Sequence, residues 1–268
     1  MKSKSKQKTS IMKIAENETH IWFTYDEEIN HDFALNNYVP FLSHQELEQY
    51  QKLYFDKRKH QYLVTRMLVR NVLSRYLKGI PAEDIEFITN DHKKPYVLPE
   101  QLVLPLQFNI SHTEKMIVIA VSVGIEIGID VEYLDRNNSA FEIAERFFAE
   151  NEYQYLKALP DDQQKQRFFS LWTLKEAYIK ACGKGLYIPL DEFCFSYPSF
   201  NTIDINFSTY RHDDPTNWQF WQIQPSKQHL VSLAVKQSEQ HPQNLIMYKT
   251  THLLGSEVVS YPVVASKC

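Results

Sequence analysis

Glycine is scarce in this chain, six in 268 residues. Four of the six, Gly124, Gly128, Gly183 and Gly185, fall in two short segments, GIEIG and GKG. A chain so poor in glycine is expected to need backbone freedom or close approach at those places. Cysteine is scarcer still: Cys182, Cys194 and Cys268 are scattered, odd in number and form no CxxC pair. That pattern argues against a disulfide framework or a zinc site, and a reducing cytoplasm is the expected compartment. No run is long enough to span a bilayer, since the longest, MIVIAVSVGIEIGI, is short and carries Glu126. Nor is there an excess of positive charge: the net charge of -4 gives no electrostatic case for a nucleic-acid partner. The local exception is MKSKSKQKTS, with four lysines and no acid. No apolar stretch follows it, so residues 1–11 read as a disordered leader rather than a signal peptide.

What remains is an ordinary globular composition, 43% hydrophobic and 23% charged, with length for one large domain or two moderate ones. A strand is expected within residues 12–26. A polar helix is expected over 43–54, where Ser43 and Glu46 form a capping box. Residues 59–77 have amphipathic helical spacing, and their arginines Arg66, Arg70 and Arg75 read as solvated or paired. Short strands near 85–88 and 107–110 precede a buried strand, MIVIAVSV, at 116–123. Helices follow at 139–148 and 151–159, with caps at Ser139 and Asn151, and a long helix at 162–182 ends at Gly183. FCFSY, INFSTY, WQFWQIQ and HLVSLAV then read as strands, and the final thirty or so residues show no clear pattern. The order predicts an α+β fold of two similar halves, 12–124 and 125–268.

The segment IEIGIDVEYLD carries the first chemistry. As a strand it sends Ile125, Ile127, Ile129, Val131 and Tyr133 to one face. Glu126, Gly128, Asp130, Glu132 and Leu134 go to the other, with Asp130 and Glu132 about 7 Å apart. The absent side chain of Gly128 reads as room for a ligand. On the long helix, Trp172, Glu176 and Lys180 are spaced four apart and share a face that Phe168 extends. Like charges about 4 Å apart repel by roughly 4 kcal/mol at an effective dielectric of 20, so a third carboxylate beside Asp130 and Glu132 requires a cation or water. Oxygen ligands alone suit a hard ion such as Mg²⁺ with a phosphate-bearing substrate. HKKPY, FNISHT and GKG offer lysines, small polar groups with His112, and backbone N–H groups suited to an anion, although a helix C-cap explains Gly183 equally well.

GIDVE, RFFAENEY and LWTLKEAYIKACGKGL, with KKPY, FNISHT and LVTRMLVRNVLSRY upstream, together resemble the 4′-phosphopantetheinyl transferases of the surfactin-synthetase-activating type. The resemblance runs from about Ser43 to about Tyr197. It implies a pseudo-twofold monomer with coenzyme A in the cleft between two α+β halves. It also implies transfer of the 4′-phosphopantetheine arm to a serine of an acyl or peptidyl carrier protein, releasing adenosine 3′,5′-bisphosphate. By motif, Asp130, Glu132 and Glu176 would hold Mg²⁺ or Mn²⁺. Glu176 would take the serine proton, and Lys180 would meet the departing phosphate. Arg58, Lys94, Ser111, His112, Asp130 and Lys180 would contact coenzyme A. Relatives often carry basic residues where this chain has Glu46, Glu48 and Gln49, and an arginine where it has Gln61; Lys57, Arg58 and Lys59 are the neighbouring substitutes.

Two other readings compete. The Asp-x-Glu pair with YIPLD resembles the start of a two-metal exonuclease, but there KKPY, SHT and WTLKEA would have no role. A non-catalytic coenzyme A or carrier-protein binding module would be expected to have lost one of the three carboxylates, and none is lost.

Overall fold

The computed structural model describes residues 11–136, 140–236, 243–251 and 255–267. The first ten residues of the expected leader, the Ser139 cap and Cys268 lie outside the described residues. The elements in order are β1 (Glu18–Thr24), α1 (His31–Tyr38), α2 (His44–Gln51), α3 (Asp56–Ser74), β2 (Phe87–Thr89), β3 (Pro95–Val97), β4 (Leu106–Thr113), β5 (Met116–Val123) and β6 (Ile127–Tyr133). There follow α4 (Ala140–Phe147), α5 (Glu150–Ala158), α6 (Asp161–Cys182), β7 (Phe193–Ser199), β8 (Thr202–Phe207), β9 (Trp218–Ser226), β10 (His229–Lys236), β11 (Asn244–Thr251), β12 (Gly255–Val259) and β13 (Val263–Lys267).

Two sheets pack face to face, each covered on its outer side by helices, which is the α+β architecture expected. The first runs β12-β11-β1-β5-β4 and the second β6-β10-β9-β13-β8-β7. β5 is buried along its whole length because both of its faces are used. Ile117, Ile119 and Val121 pack under α3 against Leu63, Leu68 and Val72. Met116, Val118 and Ala120 point into the inter-sheet layer and meet Ile127, Ile129, Val131 and Leu233. On the far side α6 lays Phe168, Leu174 and Tyr178 on the second sheet.

Helix boundaries follow local chemistry. The predicted capping box opens α2: Ser43 Oγ accepts from the Glu46 N–H, and Glu46 returns a carboxylate oxygen to the Ser43 N–H. α6 stops at Gly183, whose φ of +68° is the left-handed conformation that glycine adopts without penalty. Its N–H is taken by the Ile179 and Lys180 carbonyls, so Gly183 is a C-cap rather than a phosphate donor.

Asn151 does not cap α5, which begins one residue earlier; Glu152 reaches back to the Ala149 N–H instead. Helix α1 and the three last strands escape the pattern reading. Of these, β11 pairs in parallel with β1 and β12 pairs with β11, so the first sheet draws two strands from the far end of the chain.

Candidate active site

Three residues, 124–126, carry the chain from β5 in the first sheet to β6 in the second. This short link makes β4 and β6 the facing edge strands of the two sheets. They are stitched where Asn109 Oδ1 accepts the Ile129 N–H at 2.9 Å. Along β4, side chains alternate, so Asn109 and Ser111 face β6. Along β6, Gly128, Asp130 and Glu132 face α6.

Gly128 is what allows that approach. A Cβ there would lie 2.0 Å from the Ala177 carbonyl oxygen and 2.3 Å from the Ala181 nitrogen. The space left by its missing side chain is therefore filled by the α6 backbone, not by a ligand as its sequence position suggested. Close packing of β6 on α6 then brings the distant carboxylates and the lysine together.

At the seam, Lys180 Nζ lies 2.6 Å from Asp130 Oδ1, 3.0 Å from Ser111 Oγ and 3.3 Å from the Ile129 carbonyl oxygen. Ser111 donates its hydroxyl to the same Asp130 oxygen at 2.8 Å. The other Asp130 oxygen, Oδ2, is buried with no hydrogen-bond partner, and so is Glu132 Oε2. Glu132 receives help from Arg136 at 3.8 Å, from the Lys180 charge and from the Trp172 indole. Burial first, and then the Asp130 charge, push the Glu132 and Glu176 carboxyls up to about 7, against the pull of Lys180. Among the described residues no three His, Cys, Asp or Glu side chains stand gathered as a ready metal cage. Among the described residues, the charge-neutralising contact to Asp130 is the Lys180 ammonium.

His112, on the opposite face of β4 from Ser111, shows one side to solvent. Partial burial, Lys180 and Arg66 together hold its imidazole below the usual range.

Two expected substrate residues sit apart from this cluster. Lys94 is buried and its Nζ donates to the carbonyls of Ala181 (3.1 Å) and Ile127 (3.3 Å), tying the end of α6 to the start of β6. Arg58 is exposed on the first turn of α3, over the Phe55 ring.

Pattern reading missed a buried ion pair behind the site. Lys175, fully buried, bonds Glu152 at 2.7 Å and the carbonyls of Leu190 and Phe193, each at 2.7 Å. The sequence signal was a lysine among Leu171, Leu174, Tyr178 and Ile179, the apolar face of the helix.

The family model described as the 4′-phosphopantetheinyl transferase superfamily matches residues 126–234, and that of the 4′-phosphopantetheinyl transferase N-terminal region matches 29–124. The chain is 34% identical over 170 residues to the 4′-phosphopantetheinyl transferase HetI of Nostoc, covering 63% of this chain and 70% of that one. It is 41% identical over 137 residues to the 4′-phosphopantetheinyl transferase gsp of Aneurinibacillus migulanus, covering 51% and 54%. Against the crystal structure of the Thermotoga maritima holo-[acyl-carrier-protein] synthase the overlap covers 43% of this chain and 65% of that one, with 23% identity and a TM-score of 0.34. The chain belongs to the 4′-phosphopantetheinyl transferase superfamily. No helix among the described residues is long and apolar enough to cross a membrane.

Proposed function

We propose that this enzyme transfers the 4′-phosphopantetheine arm of coenzyme A to a serine hydroxyl of an acyl or peptidyl carrier protein. The observation that carries the reading is the seam itself: Asp130, Glu132, Glu176 and Lys180 converge from a strand and a helix fifty residues apart in the chain.

In the reaction the serine oxygen bonds to the phosphorus bearing the pantetheine arm, and the pyrophosphate P–O bond breaks. Glu176 accepts the serine proton, directly or through water. A carboxyl tuned to about 7 is matched to that role near neutral pH. Lys180, held against Asp130 and Ser111, presents its ammonium to the phosphate oxygens where the leaving group gathers charge. Adenosine 3′,5′-bisphosphate departs.

The donor set fits a divalent cation. Two buried carboxylate oxygens, Asp130 Oδ2 and Glu132 Oε2, lack partners among the described residues, and burial followed by the Asp130 charge raises the Glu132 and Glu176 carboxyls. Asp130, Glu132 and Glu176 would hold Mg²⁺ or Mn²⁺, which when bound would neutralise charge on the pyrophosphate.

The test is incubation with an apo carrier protein, coenzyme A and Mg²⁺, read by mass spectrometry. Addition of the phosphopantetheine arm is expected, and its loss in Asp130→Ala and Glu176→Ala. No mass gain with several unrelated carriers would reject the activity.

A further inference from the structure

The hairpin of β2 and β3 stands outside both large sheets. Its turn, residues 90–94, is built by Asn90, whose side-chain oxygen accepts the N–H groups of His92 at 3.0 Å and Lys94 at 2.9 Å. Lys93 takes a φ of +66°, and Pro95 favours an extended backbone at Lys94 before it. The two adjacent lysines part there: Lys93 is exposed to solvent, whereas Lys94 is only 8% exposed.

Two side chains of this turn end on α6. The Asn90 amide donates to the Gly183 carbonyl at 2.8 Å. Lys94 Nζ donates to the Ala181 carbonyl at 3.1 Å and to the Ile127 carbonyl of β6 at 3.3 Å. The last carbonyls of a helix lack intrahelical partners and form the negative end of its dipole, so a buried ammonium is well matched there. The turn also packs on the helix cap: a Cβ on Gly183 would lie 3.1 Å from Lys94 Cδ and 3.5 Å from Asn90 Nδ2. Ala181 directly follows Lys180, and Ile127 lies on the strand that carries Asp130. The 2.6 Å contact of Lys180 with Asp130 therefore spans the same two elements that Lys94 pins together. Gly128 lets those backbones approach, and Lys94 closes the end of their interface. With two of its three donors committed and its side chain buried, Lys94 has little to offer a substrate phosphate.

We propose that Lys94 is a positioning residue for the transfer: from the β2–β3 turn it clamps α6 to β6 and so sets the place of the Lys180 ammonium, rather than contacting coenzyme A itself. The proposal rests on the reading of the seam as the reacting site. An ammonium that meets charge as the leaving group departs acts in the transition state. Its misplacement lowers kcat and spares substrate binding.

Lys94→Met keeps the buried stem and removes the donors. It should lower kcat by about 10- to 100-fold, the cost of roughly 1 Å of misplacement, with KM and the calorimetric Kd for coenzyme A changed by less than about threefold. Lys94→Arg, which keeps the charge and the donors, should recover part of kcat, and it serves if Lys94→Met does not fold. A double-mutant cycle in urea with Lys180→Met tests the geometry without turnover. In the Lys94→Met background, Lys180→Met should shift the midpoint by about half its wild-type effect or less. Plain repulsion between two cations would give the opposite sign. A rise in KM at unchanged kcat would make Lys94 a coenzyme A contact, and lost stability at unchanged kcat would make it a purely structural one. Either result overturns the proposal, as does an additive cycle or one of the opposite sign. If the wild type transfers nothing to any carrier, the activity fails and the cycle alone decides the clamp.

Discussion

The Lys180 ammonium lies 2.6 Å from Asp130 Oδ1, joining the last turns of α6 to the edge strand of the second sheet. Asp130 is almost wholly buried and Lys180 only partly, so the pair is not a surface ornament. Lys180→Met leaves a buried carboxylate without its counter-charge. We expect a loss of about 1–3 kcal/mol, below the full range for buried pairs because Lys180 is partly solvated. We also expect at least a hundredfold fall in transfer rate. Urea melts and steady-state transfer, measured on the same preparation, check both numbers. A variant that transfers within a few-fold of the wild type removes Lys180 from the reaction.

Glu176 gives a pH prediction whose sign is fixed by its environment. Its carboxyl is raised from 4.5 to about 7 in the folded protein, so between those values the native state holds more proton than the unfolded one. Stability therefore declines as pH rises through that window. In metal-free buffer, Glu176→Gln should gain on the wild type progressively from pH 5 to about 7.5, by ~2 kcal/mol in all, then by no more. Thermal melts at half-unit pH intervals decide it. A constant difference across the range would show that Glu176 is not held up by burial.

Mg²⁺ should reverse this trend. Adding it at pH 8 is expected to raise the wild-type midpoint, and the gain should shrink at pH 6, where protons compete for the carboxylates. Asp130→Asn should lose the gain at both pH values. Equal Mg²⁺ stabilisation in that variant would place the ion elsewhere.

Gly128→Ala tests the packing of strand on helix. The new Cβ would fall 2.0 Å from the Ala177 oxygen, an overlap that only backbone movement relieves. A loss of about 3 kcal/mol or more is expected, at the upper end for overpacking. A near-neutral effect, read from chemical denaturation, would mean that β6 and α6 are not held this closely.

For the pair behind the site, Lys175→Met and Glu152→Gln should each cost about 3–5 kcal/mol, because each strands a fully buried partner. The double variant should recover much of that loss. Additive losses in a double-mutant cycle would show that the two charges are not coupled.

Much of this was legible in the chain. Strand β5 and helix α6 declared themselves by length and pattern; spacing put Asp130 with Glu132 and Glu176 with Lys180 on shared faces, and the family resemblance joined the two pairs. Lys94 was legible as a lysine but not as a tie between α6 and β6, since only the three-dimensional path brings the Ala181 and Ile127 carbonyls to its Nζ. Gly128 was noticed for the right reason, close approach, and assigned the wrong neighbour. Arg66 read as solvated or paired, and in the fold it is half-buried with its guanidinium over the Tyr62 ring, a partner that helical spacing alone does not single out. β11 was unreadable because its partner β1 lies at the opposite end of the sequence, and β12 takes its place in the sheet through β11.

That pairing has a consequence for how the protein is made. β1, at Glu18–Thr24, bonds in parallel to β11, at Asn244–Thr251. Its ladder on that side cannot close until the ribosome has delivered the chain as far as β11, more than two hundred residues later. Throughout synthesis the exposed edge of β1 waits for a partner, and a truncation ahead of residue 244 would leave it permanently open to pairing with another copy.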